Sequence, residues 1–138
     1  MRQAMFVLHA HPARRGLTEI TDSVRSWVGK SDISQGLLTL FCRHTSASLL
    51  IQENAARAVR NDLEKFFDDL APEGEHYEHD DEGPDDMPAH LKTALTQVQL
   101  NVPVMDGRLM LGTWQGIYLF EHRARPSTRE IVLHLVGE

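Results

Sequence analysis

Three segments concentrate side chains capable of chemistry. The first is His44-Thr45-Ser46-Ala47-Ser48, a histidine followed by hydroxyls inside an otherwise apolar run. No G-x-S-x-G elbow surrounds Ser46, so these hydroxyls read as hydrogen-bonding or structural groups rather than nucleophiles. His44 reads equally as functional or structural. The second segment runs from His79 through Asp80, Asp81, Glu82, Asp85 and Asp86, with His90 shortly after. Two histidines with carboxylates between them are a donor set for a divalent cation. Neither an EF-hand order nor H-E-x-x-H is present. The spacing puts His90 in the first turn of a helix, where the positive end of the helix dipole disfavours imidazolium. Neutral imidazole is the form that binds metal. An ordinary capped helix with a surface histidine explains the same residues. The third segment is Leu111-Gly112-Thr113-Trp114-Gln115-Gly116-Ile117, followed by Glu121-His122-Arg123. Trp114 offers a stacking surface and Gln115 a paired donor and acceptor. A bulge around a buried Trp is the alternative.

The other histidines read as ordinary. His9 and His11 share a strand face without a carboxylate beside them, His76 is solvated in a loop, and His134 alternates with core residues.

Segments that position these groups follow from periodicity. Met5–Ala10 predicts a strand. Leu17–Val28 has apolar residues at helical spacing, with Gly29 as a stop. The β-branched and aromatic run Leu37–Ile51 predicts one long strand, with Leu38, Leu40, Cys42, His44 and Ser46 on one face. Asn54 is a suitable cap for a helix carrying Val59, Leu63, Phe66, Phe67 and Leu70. Pro88–Thr96 predicts a short helix with Leu91, Ala94 and Leu95 inward. Strands are expected over 98–104, 108–112, 116–123 and 131–136, with Asp106-Gly107 as a hairpin turn. Strands at both ends and helices between them predict an α+β fold. The expectation is one domain over 1–138, a mostly antiparallel sheet or sandwich with two to three helices packed outside.

Composition narrows the function classes. The chain has 138 residues, 41% of them hydrophobic, enough for one core. The net charge of −6 is local: the segment 71–86 holds eight acidic residues and no Lys or Arg. That run suits either a cation or solvent, and it argues against a nucleic-acid-binding stripe. No apolar stretch is long enough to span a membrane. A single cysteine, Cys42, and an N-terminus without a signal-peptide pattern predict a cytoplasmic protein.

Taken together, HTSASLLIQEN, HDDEGPDDMPAHLK and DGRLMLGTWQGIYLFEHR, with RGLTEIT early and VGE at the end, resemble the YjbQ-like family over nearly the whole chain. The resemblance implies a compact α+β protein that assembles as a homotrimer. It also implies a weak, secondary thiamine-phosphate synthase activity. Matching family positions are His44, Asn54, Asp62, His79, His90 and Gly-Thr-Trp-Gln-Gly at 112–116.

That reaction joins a pyrimidine-methyl pyrophosphate to a thiazole phosphate with loss of pyrophosphate. Such a leaving group calls for a divalent cation, zinc or magnesium, or for arginines aimed at it. The expectation is that His44, His79 and His90 converge on one metal pocket with Glu82 or Asp86 nearby. Catalytic roles then fall to His44, Glu82, Trp114 and Gln115. Arg43, Ser46, Asn54, Arg108 and Arg123 would bind the small phosphorylated substrate, some of them across a subunit boundary. The chain is too short for a (β/α)₈ barrel. Another metal-dependent enzyme, such as a hydrolase, or a non-catalytic small-molecule binder fits the same residues.

Overall fold

A computed structural model covers all 138 residues. In chain order the elements are β1 (Arg2–Ala10), β2 (Gly16–Glu19), α1 (Thr21–Gly29), β3 (Gly36–Cys42), β4 (Ala47–Glu53) and α2 (Arg57–Leu70). There follow α3 (Asp86–Leu95), β5 (Gln99–Met105), β6 (Arg108–Leu109), β7 (Gln115–Glu121) and β8 (Arg129–Gly137). Two sheets result, one in the order β1-β8-β3-β5-β6 and one in the order β2-β7-β4. Every pairing is antiparallel. The α+β sandwich expected from the strand and helix pattern is therefore the fold.

Period-two alternation builds the core. Leu38 and Leu40 of β3, Leu100, Val102 and Val104 of β5, and Ile131, Leu133 and Leu135 of β8 point inward from the large sheet. They meet Leu49, Ile117 and Leu119 of the small sheet, and α1 adds Val24 and Val28. A second cluster lies on the other face of the small sheet. There Leu17, Tyr118 and Phe120 pack under Leu63 and Phe67 of α2, with Phe67 edge-on to Phe120 at 5.4 Å. The outer face of the large sheet has no helix over it, and Met5, Leu37, Phe41 and Met105 are 44–65% exposed there.

Several elements differ from the expected ones. Leu17–Glu19 is a strand, and only Thr21 onward is helical, because β7 recruits this segment to the sheet edge. The run 37–51 is broken at 43–46, where the chain leaves the large sheet for the small one. No Gly or Pro marks that corner, since Cys42 and Ala47 on either side are both buried in the core. Asn54 does not cap α2: its amide donates to Glu19, while the Glu53 carboxylate accepts from the Ala56 N–H. Helix α3 begins at Asp86, so His90 stands in its second turn. The helix buries Asp86, Pro88, Ala89 and Lys92 and leaves Leu95 exposed. His134 is on the outer sheet face, paired with Gln3, and is not a core residue. Asp106 and Gly107 have φ of 52° and 71°, the paired positive values of a type I′ hairpin turn, as expected.

Candidate functional site

Asp86 is the centre of the acidic segment. Its position four residues before His90 puts both on one face of α3. Asp86 Oδ2 lies 2.7 Å from His79 Nε2 and 3.1 Å from His90 Nε2, while Oδ1 accepts from Arg123 Nη1 at 2.7 Å. Glu82 stands beside them, its Oε2 3.1 Å from His79 Nε2. Burial would push the Asp86 carboxyl up. The bonds from His79 and the charge of Arg123 outweigh it and hold the group below its ordinary value. His79 is shifted upward, chiefly by its hydrogen bond to Asp86 and further by Asp81.

Arg123 organises this loop. It donates to Asp85, to Asp86 and to the Glu82 carbonyl, and the Ala124 N–H closes on Asp85. The guanidinium expected from the sequence to bind phosphate is here committed to three partners in the carboxylate cluster.

Donor atoms of His79, Asp86 and His90 all lie within 4.8 Å of one another, as do those of His79, Asp81 and Glu82. The first set fits a divalent metal: two imidazoles and a carboxylate on a side chain locked by an arginine. Two nitrogen donors favour zinc over magnesium. Bound there, the ion would supply Lewis-acid stabilisation of developing negative charge.

His44 is not in that set. It joins His90 instead in lining a cavity of about 780 Å³, walled also by Phe41, Arg43, Thr93 and Thr96. The His44 Nε2 accepts the Glu130 backbone N–H at 2.8 Å, so its lone pair is already used. Of the three histidines expected to converge, the structure brings together His79 and His90, with Asp86, and places His44 outside that cluster.

Behind His44 is a buried hub centred on Arg129, a residue that the sequence reading did not single out. Arg129 pairs with Glu121 at 2.5 and 2.8 Å, and both are almost fully buried. Arg129 also donates to the Ser46 carbonyl and hydroxyl, and its Nη1 lies 3.4 Å from His44 Nδ1. One signal for it existed: Glu121 continues the inward phase of Ile117 and Leu119, and Arg129 that of Ile131 and Leu133. Burial and the nearby Arg129 lower the His44 basicity. His122, also buried, bonds through Nε2 to Ser48, which bonds to Thr96 on the cavity wall.

Remaining candidates lie elsewhere. Trp114 and Gln115 sit at the start of β7, with Glu121 at its other end, six strand steps or about 20 Å away. Gln115 bonds back to the Gly112 N–H, and Trp114 is 63% exposed, so the alternative of a buried Trp is excluded. Asn54 is at that same far end, its N–H bonded to the Trp114 carbonyl. Arg108 is exposed on the β5–β6 hairpin. Within one chain none of these four belongs to the His79–Asp86–His90 cluster. Arg43 lines the cavity, is exposed and pairs with Glu130.

Comparison with known proteins agrees with the resemblance read from the motifs. The family model described as "UPF0047 protein YjbQ-like" matches residues 7–138. A UPF0047 protein of Synechocystis sp. is 47% identical over 138 residues, covering 99% of this chain and 94% of the relative. The UPF0047 protein YjbQ of Salmonella typhimurium is 47% identical over 125 residues, covering 90% and 91%. A YbjQ-like protein from Sulfolobus solfataricus P2, solved by crystallography, superposes with a TM-score of 0.89 at 27% identity over 99% of both chains. This chain belongs to the YjbQ-like UPF0047 family.

Proposed function

We propose that this protein is a divalent-metal enzyme acting on a small phosphorylated substrate, with the metal held by His79, Asp86 and His90. The observation that carries the reading is the convergence of two imidazoles and a buried carboxylate next to a cavity that His90 shares with His44 and Arg43. A buried carboxylate held below its ordinary value is charged at neutral pH, as a metal ligand must be. The finer proposal is thiamine-phosphate synthesis, the reaction implied by the resemblance. Arg43 at the cavity wall would attract the pyrophosphate of the pyrimidine substrate, and His44, kept neutral with Nε2 already accepting from the Glu130 N–H, would donate a hydrogen bond from Nδ1. Trp114 would stack on a ring only if supplied by a neighbouring subunit, since its own chain holds it about 20 Å from Glu121.

Metal-dependent hydrolysis is the second reading. It is favoured by the donor set, because two histidines and one carboxylate leave a coordination position for water. Screening the metal-loaded protein on phosphate esters beside the two thiamine precursors separates these reactions. The homotrimer is proposed as well, supported by the exposed apolar residues on the outer face of the large sheet, and sedimentation of the purified protein tests it.

Metal analysis of untagged protein beside the His79→Ala/His90→Ala double variant tests the central claim. The expected result is about one zinc-like ion per chain, lost in the variant. No metal in either protein after incubation with zinc, manganese or magnesium would overturn it.

A further inference from the structure

His44 presents a donor problem that its surroundings do not solve. Its Nε2 receives the Glu130 N–H at 2.8 Å and so carries no proton; a neutral ring must then carry its proton on Nδ1. That Nδ1 faces Arg129 Nη1 at 3.4 Å, and arginine can only donate. Two N–H groups therefore point toward each other with no acceptor between them. The other nitrogens of Arg129 are taken: Nε bonds Glu121, and Nη2 bonds Glu121 and Ser46. Nη1 has no protein acceptor, although the side chain is about 94% buried. Ser46 Oγ accepts from Arg129, and its own proton has no acceptor.

We infer that the notch formed by His44 Nδ1–H, Arg129 Nη1 and the Ser46 hydroxyl is a seat for one oxygen of a phosphate-type oxyanion. An oxygen about 2.9 Å from each nitrogen satisfies both donors at once and removes the repulsion between them. The surrounding charge permits it. The Glu121 carboxylate is engaged by Arg129 and by backbone N–H groups, and Glu130 is engaged by Arg43. Of the three, His44 also lines the cavity that it shares with His90 and Arg43. Burial and the charge of Arg129 keep the imidazole neutral, consistent with a single N–H donor.

This seat deepens the phosphorylated-substrate reading and rests on it for its biological meaning. It does not require the metal. The test is nitrogen-15 NMR of the histidine rings in the intact protein near pH 7, titrated with inorganic phosphate and, separately, with glycerol phosphate against chloride at equal ionic strength. His44 is expected in the Nδ1–H form, with its Nδ1 resonance moving saturably on phosphate addition. Ser46→Ala should weaken that binding about tenfold, the loss of one charge-assisted hydrogen bond. A response to glycerol phosphate as well identifies the seat as one for substrate esters; a response to inorganic phosphate alone identifies it as one for free phosphate. An Nε2–H tautomer, or a response no larger than that to chloride, would overturn the inference. Zinc content of the same samples is measured in parallel. Loss of the metal reading with phosphate binding intact, or the reverse, therefore shows which of the two fails.

Discussion

Arg129→Met should be among the most damaging single substitutions in this chain. Glu121 is fully buried and Arg129 is 5% exposed, and they share two hydrogen bonds. Removing the guanidinium strands a carboxylate in the core with only the N–H groups of His122, Arg123 and Ser127 to hold it. Breaking one partner of a buried pair costs about 3–5 kcal/mol. An unfolding entropy of roughly 2.1 cal/mol/K per residue over 138 residues converts this to a fall in Tm of about 10–17 °C. The assay is urea and thermal unfolding of the wild type, Arg129→Met, Glu121→Gln and the double variant. Once the arginine is absent, neutralising Glu121 removes the unpaired charge. The double variant should therefore be less destabilised than the sum of the singles, by about 2 kcal/mol or more. Strict additivity, or a cost below about 1 kcal/mol for Arg129→Met, would refute the claim that Arg129 compensates the buried Glu121 charge.

Acid sensitivity should trace to His122. Its burial, with Lys92 and Arg129 nearby, pushes the imidazole down to about 3, so the unfolded chain binds a proton that the folded chain refuses. The stability this group contributes is present above its unfolded value near 6.5 and is lost as pH falls from there toward 3. Between pH 6.5 and 4 the loss is about 3 kcal/mol, and His122→Leu should flatten that limb of the urea-midpoint profile; an unchanged slope would count against it. Gly137→Ala should also destabilise the fold, because its Cβ would lie 1.8 Å from the Gln35 carbonyl oxygen where β8 meets β3. Thermal melting checks this, and a Tm within 1–2 °C of wild type would mean that the strands separate there more easily than the register allows.

What could be read in the sequence divides along physical lines. Alternation identified the strands of the large sheet, since one inward face of β3, β5 and β8 is continuously apolar. It missed the corner at 43–46 even though Arg43, His44, Thr45 and Ser46 interrupt the apolar run, because polar side chains inside a strand read equally as site residues and no Gly or Pro marks a turn. Local signals found His79 and His90, yet the carboxylate that joins them was named only as one of two neighbours. The Glu121–Arg129 pair was harder to see. Each residue looks like a strand-end charge, and only the packing of the two sheets brings them together.

The motif at 106–123 carries the sharper lesson. Trp114 and Gln115 were grouped with the histidines through the activity that the family resemblance implies. In a helix, four residues bring Asp86 and His90 to one face, a pairing that the expected helix start at Pro88 did not include. In a strand the chain advances about 3.3 Å per residue, so the same motif is stretched along β7. Gly112–Gln115 marks one end of the small sheet, and Glu121–Arg123 marks the other, next to Asp85 and Asp86. The two halves can serve one site only if a second chain supplies one of them. A Trp114→Ala variant that leaves metal binding and assembly intact but alters turnover would place Trp114 in a shared site. If it alters nothing, the exposed tryptophan and the metal cluster act independently.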